Sequence, residues 1–260
     1  MLTTRYVTGA PNWIDLGTPD IAGAAAFYGG LFGWRFQPGG PEVGGYGLFQ
    51  LDGRTAAGGM QTTPEQGPPS WTVYFQAPDA DATAQAAGQA HGSVRMQPMD
   101  VQDLGRMAIL ADQAGVPFGL WQPGRNKGLD VVREPGSLCW LELYTPDVPA
   151  AAAFYHSVLG LETLGVDFPG GTYTTLTPAG ESEDAMFGGL VPLAEAAEEE
   201  PHWLPYFEVT DPDTTVARAR ELGGTVRMPA TDLPDVGRLA KLTDPYGARF
   251  AVIRSEPQPA

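Results

Sequence analysis

Two short stretches place aromatic and acidic side chains on the same face of a predicted strand. Trp13 and Asp15 alternate in the first, and Trp140, Glu142 and Tyr144 alternate in the second. Side chains two residues apart point to the same side of a strand. A carboxylate in a water-poor aromatic setting has a raised pKa and can act as a general base. Asp15 and Glu142 are therefore candidate catalytic residues, with a purely structural pairing to backbone or arginine as the alternative.

Both stretches belong to a tandem duplication. Thr18–Asp20 recurs as Thr145–Asp147, and Gly105–Asp112 recurs in closely similar form as Gly237–Asp244. A repeat on this scale defines the architecture before any single element does. Each half is long enough to close its own core. We expect one domain at 1–125, a linker at 126–136, a second domain at 137–256 and a disordered tail at 257–260.

Each half contains two units in which a strand, a helix and three further strands follow one another, which predicts an α+β fold. Four aspartates are placed to cap the helices, because their carboxylates can accept the first free N–H groups: Asp20, Asp79, Asp147 and Asp211. The helical spacing predicts one buried stripe in the first helix, formed by Ala24, Phe27, Tyr28 and Leu31. Arg106 and Arg238 follow glycine at equivalent strand starts, and we expect them to form salt bridges.

Composition limits the classes of partner. The chain has 260 residues and a net charge of −16, which disfavours nucleic acid because such binding depends on Lys and Arg. Its single cysteine, Cys139, gives no sign of an oxidising compartment. No signal peptide or membrane-spanning run is recognisable, so we expect a cytoplasmic protein, a monomer or weak homodimer, without a membrane partner. The acidic run at 198–200 is interpreted as a solvated loop.

The repeated βαβββ units resemble the vicinal oxygen chelate superfamily, which includes glyoxalase I, extradiol dioxygenases and bleomycin-resistance proteins. The resemblance lies in Phe154-Tyr155 followed by Leu159-Gly160, and in the turn Asp244–Gly247. The sequence of the opening strand and helix is similar to that of a tandem-domain actinobacterial branch of the superfamily. Members of this branch are often described as glyoxalase-like or hydroxylase-like, and they include a mycobacterial secreted antigen. The resemblance implies that each half folds its strands into a cup with the helices outside.

The resemblance also implies four strand positions in each half where metal-binding members carry ligands. Six of these positions hold residues that are poor ligands for a divalent ion: Trp13, Thr72, Gly119, Trp140, Leu204 and Ala251. The other two fall within 55–61 and 185–193, which contain no His, Asp or Glu. His202 is two residues from one position, and one ligand does not make a site. We therefore predict no metal and no cofactor in either cup.

Strand parity then defines what would line each cup. Besides Asp15 and Glu142, Glu208 is a candidate acid or base, and it pairs in one predicted cup with Glu142. The candidate ligand-binding residues are aromatic or carry a polar tip, which suits a flat organic ligand: Trp13, Thr72, Tyr74, Gln76, Trp121, Trp140, Tyr144 and Tyr206. The alternative is that the tryptophans only fill space.

Three functions remain open from the sequence. The first is a metal-independent protein that binds a small aromatic or apolar molecule, as the resemblance to bleomycin-resistance proteins implies. The second is a metal-independent lyase, isomerase or hydroxylase-like enzyme that uses the carboxylates as acid or base. The third is a regulatory protein whose cups are degenerate.

Overall fold

The computed structural model describes residues 2–40, 43–168, 171–193 and 200–256. The order of elements repeats the strand–helix–three-strand unit four times, which confirms the α+β expectation. The helices are α1 (Ile21–Phe32), α2 (Ala80–Gln89), α3 (Val148–Leu159) and α4 (Pro212–Glu221). The predicted disordered tail and most of the predicted acidic loop lie outside the described residues. Within the described residues, no helix is both long and apolar enough to cross a membrane.

Sixteen described strands form two mixed sheets of eight. The first half supplies β1 (Pro11–Thr18), β2 (Arg35–Pro38), β3 (Gly47–Leu51), β4 (Arg54–Gln61), β5 (Ser70–Gln76), β6 (Ser93–Val101), β7 (Gly105–Ala111) and β8 (Pro117–Pro123). The second half supplies β9 (Leu138–Thr145), β10 (Leu161–Phe168), β11 (Gly171–Pro178), β12 (Gly188–Pro192), β13 (His202–Glu208), β14 (Thr225–Leu233), β15 (Gly237–Thr243) and β16 (Arg249–Ser255).

The two sheets have the same strand order. The first runs β2-β3-β4-β1-β5-β8-β7-β6, and the second runs β10-β11-β12-β9-β13-β16-β15-β14. The first strand of each βαβββ repeat therefore lies in the middle of its sheet. These strands are β1 and β5 in the first sheet and β9 and β13 in the second. All candidate acidic and aromatic residues except Trp121, which lies on β8, are on these central strands.

The helices begin where the sequence predicts. The side chains of Asp20, Asp79 and Asp147 each accept a hydrogen bond from the backbone N–H three residues later, and Asp211 accepts from Asp213 and Thr214. These bonds satisfy N–H groups that the first turn of a helix otherwise leaves unpaired.

One local expectation needs correction. In α1 the buried stripe includes Phe32 instead of Leu31, because Phe32 packs against the rings of Trp34 and Phe207. Helix α2 ends at Gln89, and His91 just beyond it takes a left-handed backbone with φ of 67°.

Strands β6 and β14 are each nine residues long. Both contain an internal proline, Pro98 or Pro229, and both lie at the outer edge of their sheet. An edge strand tolerates proline, since one side of it makes no ladder bonds. Both strands shift register against their neighbour near the proline.

The predicted salt bridges of the two equivalent arginines are present. Arg106 pairs with Asp81 at 2.7 Å and with Asp100 at 2.9 Å. Arg238 pairs with Asp213 and Asp232 at 2.6 and 2.9 Å, which repeats the arrangement in the other half.

The chain divides into two compact units, and each takes segments from both sequence halves. Unit 1 contains residues 1–13, 72–128 and 140–204. Unit 2 contains residues 14–71, 129–139 and 205–260. Helices α2 and α3 pack together in unit 1, and α1 packs on α4 in unit 2.

A buried tyrosine–aspartate bond lies at the centre of unit 2. The Tyr28 hydroxyl donates to Asp244 Oδ2 at 3.1 Å and accepts from Trp71 Nε1 at 3.2 Å. The other carboxylate oxygen of Asp244 accepts the backbone N–H groups of residues 246, 247 and 248, each at 2.9 Å. Burial raises the pKa of Asp244 and, together with the charge of Asp244, raises the pKa of Tyr28 well above 10.0.

Unit 1 contains the same arrangement. The Tyr155 hydroxyl donates to Asp112 Oδ2 at 3.2 Å and accepts from Trp203 Nε1 at 3.1 Å. Asp112 Oδ1 accepts the N–H groups of Ala114 and Val116 at 2.9 Å. In each unit, a helix from one half is therefore joined to a turn from the other half.

Replacement of Asp244 by alanine tests how much the bond between Tyr28 and Asp244 contributes to stability. We expect Asp244→Ala to lower the free energy of unfolding by about 2–4 kcal/mol, because buried donors lose their acceptor. Urea denaturation followed by circular dichroism measures the change. The control is Asp232→Ala, which removes one exposed carboxylate from an ion pair and should cost much less. Equal losses in the two variants would contradict this account.

The buried tyrosines make stability fall at alkaline pH. The pKa of Tyr28 and of Tyr155 is raised in the folded state, so their stabilisation is complete below the ordinary value of 10.0 and is lost as the pH rises above it. We expect the free energy of unfolding to fall by about 1.4 kcal/mol per pH unit for each buried tyrosine. Urea unfolding at a series of pH values measures this, and Tyr28→Phe should reduce the slope. A profile for Tyr28→Phe as steep as that of the unmodified chain would contradict the assignment.

Candidate functional site

Glu142 on β9 accepts two tyrosine hydroxyls. Tyr144 donates to Glu142 Oε2 at 2.7 Å, and Tyr173 on β11 donates to Oε1 at 3.2 Å. Glu142 and Tyr144 share one face of β9 because they are two residues apart. Both bonds place a donor on the carboxylate, the arrangement that stabilises negative charge.

The bond network continues to Trp140. Its indole Nε1 donates to the Tyr173 hydroxyl at 3.0 Å, so a directed chain runs from Trp140 through Tyr173 to Glu142. Hydrogen bonds in such a chain polarise one another. Removal of the Tyr173 hydroxyl from water and the charge of Glu142 raise the pKa of Tyr173 well above 10.0. Tyr173 therefore remains a protonated donor at neutral pH.

Gly189 makes room for Tyr173. It lies opposite Glu142 in the parallel pair of β12 and β9, and a Cβ atom at this position would overlap the Tyr173 ring. The ring can therefore lie close to the backbone, from where its hydroxyl reaches Glu142.

His202 covers Tyr144. The imidazole and phenol rings are stacked, with centroids 4.9 Å apart and planes 5° apart. His202 Nδ1 is 2.8 Å from the carbonyl oxygen of Glu200. A carbonyl oxygen can only accept a hydrogen bond, so Nδ1 carries a proton and donates it to this bond. The bond fixes the orientation of the imidazole ring. Trp140, Glu142, Tyr144, Tyr173 and His202 all belong to unit 1.

The equivalent acid of the first half has an equivalent tyrosine. Tyr46 donates to Asp15 Oδ2 at 3.2 Å, and Asp15 is 8% exposed. Asp15 and Tyr46 are both in unit 2. They are separated by 31 residues, as are Glu142 and Tyr173. Gly17 stands where the second half has Tyr144, so the first half has no second hydroxyl at that position.

Tyr74 and Trp121 lie against glycines in unit 1. A Cβ at Gly119 would overlap the Tyr74 ring, and a Cβ at Gly105 would overlap the Trp121 ring. Tyr74 and Trp121 are buried. Trp121 Nε1 donates to the Asn126 carbonyl at 2.9 Å.

The other predicted residues have varied environments. Gln76 donates to the Tyr6 carbonyl at 3.3 Å, and Glu208 accepts the backbone N–H and the hydroxyl of Ser255 at 2.9 and 2.6 Å. Trp13 and Tyr206 are buried, and Thr72 is half-buried. Glu208 is thus bound to Ser255 in unit 2, whereas Glu142 is bound to tyrosines in unit 1.

The environment of the ligand positions that the resemblance implies can be compared with what a metal ion requires. Among the described residues, no three His, Cys, Asp or Glu side chains come together as a metal site requires. At position 119 the space that a ligand side chain would need contains the Tyr74 ring. Trp13 and Leu204 are buried, and neither side chain carries an oxygen or thiolate ligand.

A cavity of about 250 Å³ also lies in unit 1, between the N-terminal segment and residues 178–187. None of the predicted binding residues lines it. Its lining includes an ion pair between Arg5 and Glu181, which spans 3.4 Å, and Arg5 is 79% exposed.

Comparison with known proteins decides the family. The family model described as Glyoxalase/Bleomycin resistance protein/Dioxygenase superfamily matches residues 10–120 and 137–252. The chain belongs to this superfamily. The two matched ranges correspond to the two sequence repeats.

Relatives of this superfamily member match nearly the whole chain. The anthracycline biosynthesis protein DauV of Streptomyces sp. (strain C5) is 42% identical over 96% of this chain and 94% of its own length. CFP32 of Mycobacterium bovis, provisionally named a glyoxylase, is 37% identical over 98% of each chain. The 2,3-dioxygenase LapB from Pseudomonas sp. KL28 shares the fold with a TM-score of 0.65, 15% identity and coverage of 97% of this chain and 95% of its own.

Sequence reasoning did not identify Tyr46 and Tyr173 as partners of the acids. One signal was available: both tyrosines lie at the same distance after their acid, close to paired glycines. The role of His202 as a stacking partner for Tyr144 was also missed, since it depends on neighbouring elements of unit 1.

Alanine at position 189 tests the placement of Tyr173. We expect Gly189→Ala to push the ring away from Glu142, so that the pKa of Tyr173 falls towards 10.0. Crowding should also lower the free energy of unfolding by about 1–3 kcal/mol. Titration of isotope-labelled tyrosine by NMR measures the pKa. Gly88→Ala in α2, where an added Cβ meets open space, is the control. An unchanged Tyr173 pKa in Gly189→Ala would refute the placement.

Proposed function

We propose that this superfamily member binds a flat aromatic organic molecule with a hydrogen-bond donor group, and that it does so without a metal. The observation that carries the proposal is the Glu142 carboxylate, which is held by Tyr144 and Tyr173 and accompanied by Trp140. An aromatic environment with one fixed acceptor is typical of small-molecule sites.

The side chains at the implied metal-ligand positions support binding without a metal. The superfamily's ligand positions hold tryptophan, threonine, leucine, glycine and alanine, and the Tyr74 ring fills the space beside Gly119. Divalent ions need nitrogen, oxygen or thiolate donors, which these side chains do not supply as a set.

The relatives support the ligand class. DauV, at 42% identity, is named for anthracycline biosynthesis, and anthracyclines are fused-ring aromatic compounds with phenolic hydroxyls. A phenolic hydroxyl is the donor that a fixed carboxylate would accept, and fused rings stack on tryptophan and tyrosine.

An acid–base lyase or isomerase is the second candidate function. The directed chain from Trp140 through Tyr173 to Glu142 favours it, because it orients a carboxylate that can accept a proton from the substrate. In this function Glu142 would be the base, and Tyr173 would be the residue that positions it.

Binding of a defined probe tests the proposed function. The probe is β-hydroxyanthraquinone, whose single hydroxyl lies away from the ring carbonyls and does not form a chelate. We expect it to raise the melting temperature and quench tryptophan fluorescence, equally before and after treatment with EDTA. Its methyl ether, which lacks the donor, should bind about tenfold more weakly, the equivalent of ~1.4 kcal/mol.

Two variants sharpen the test. Glu142→Gln should reduce the preference for the hydroxyl over the methyl ether, since a neutral amide is a weaker acceptor. Asp100→Asn, which changes an exposed carboxylate paired with Arg106, should leave the preference unchanged. A stoichiometric metal in elemental analysis, or loss of binding after EDTA, would disprove metal independence. Failure of the folded protein to bind the probe would disprove the ligand class.

A further inference from the structure

The pair Asp15–Tyr46 repeats the chemistry of Glu142–Tyr173 in the other compact unit. In both, a tyrosine hydroxyl donates to a carboxylate on a central strand, at the same distance of 3.2 Å. The two pairs occupy equivalent positions of the sequence repeat, and each pair lies within a single unit.

This equivalence extends beyond the two bonded groups. Asp15 lies beside Gly58 across the parallel pair of β1 and β4, as Glu142 lies beside Gly189 across β9 and β12. Both acids therefore have a glycine as their direct neighbour on the adjoining strand.

A buried carboxylate is costly unless hydrogen bonds stabilise its charge. Asp15 is 8% exposed, and its aromatic partner Tyr46 lies just before β3. The carboxylate can accept a hydrogen bond from a phenolic hydroxyl, as it does from Tyr46. Asp15 therefore provides a second carboxylate acceptor of the kind that Glu142 provides for a ligand hydroxyl.

We infer that the protein has two ligand sites of the same chemical class, one at Asp15–Tyr46 and one at Glu142–Tyr173, and that they differ in affinity. This inference rests on the proposed function, which by itself needs only the Glu142 site. Each site takes a hydroxylated aromatic molecule, and each tyrosine positions its carboxylate and so sets the preference for a ligand hydroxyl.

The difference between the sites follows from residue 17. Tyr144 donates a second hydroxyl to Glu142, whereas Gly17 at the equivalent place has no side chain. The side chain beside the acid therefore differs between the two sites, and we expect the affinities of the two sites for the same ligand to differ with it.

Titration calorimetry of the full chain with β-hydroxyanthraquinone tests the inference. The unmodified protein should bind two molecules with different affinities. Asp15→Asn should weaken one site by about tenfold or more, and Glu142→Gln the other. The double variant should lose both preferences for the hydroxyl over the methyl ether.

Tyrosine variants keep the test valid if an aspartate variant fails to fold. Tyr46→Phe retains the ring and should lower the ratio of hydroxyl to methyl-ether affinity at one site only. Structural damage alone would weaken both ligands equally. Tyr246→Phe is the matched control, because it removes a tyrosine–carboxylate bond to Asp20 at the start of α1. It should leave both sites intact.

The outcomes separate the two proposals. One bound molecule, lost in Glu142→Gln and unaffected by Asp15→Asn and Tyr46→Phe, would overturn the second site and leave the proposed function standing. No binding to the folded protein would overturn the proposed function and this inference together. Two molecules whose affinities respond to neither acid would overturn the assignment of both sites.

Discussion

The structure depends on two buried carboxylates, Asp112 and Asp244. Each accepts backbone N–H groups of its own turn and the hydroxyl of a fully buried tyrosine from the other half of the sequence. An ionised carboxylate removed from water is unfavourable unless several donors surround it, and these turns supply them. The bond therefore fixes a turn before the last strand of a repeat and the centre of a helix at the same time. Aromatic rings complete the packing around Tyr28 and Tyr155.

Much of the fold could be predicted because it is encoded locally. Each helix starts at an aspartate that caps it. Because the sequence repeats, the order of helices and strands predicted for one half also applied to the other. The exchange of segments between the halves could not be predicted, since the same strands would serve either arrangement. The contact of Tyr28 with Asp244 depends on packing between elements that are distant in the sequence. The extension of β6 and β14 past a proline likewise depends on their place at a sheet edge.

The candidate site shows a similar division. Alternation along β9 placed Trp140, Glu142 and Tyr144 on one face, and the bond between Tyr144 and Glu142 agrees with that parity. The contribution of Tyr173 required the register of β11 and β12 against β9, which no local pattern specifies. Glu208 illustrates the opposite case: the sequence suggested a partner carboxylate, and the structure shows its bonds to Ser255. Aromatic rings lie directly on glycine backbone at several places, such as Tyr173 on Gly189 and Tyr74 on Gly119.

The long separation between Tyr28 and its carboxylate has a consequence for biosynthesis. Tyr28 leaves the ribosome 216 residues before Asp244 does. At ordinary translation rates this interval is on the order of 10–40 s. During that time the first helix has no final acceptor for its buried hydroxyl, and unit 2 cannot complete its core. Unit 1, whose last segment ends at residue 204, can close earlier. The nascent chain can therefore complete unit 1 before unit 2, and α1 lacks its carboxylate partner until the last strands of unit 2 have been made.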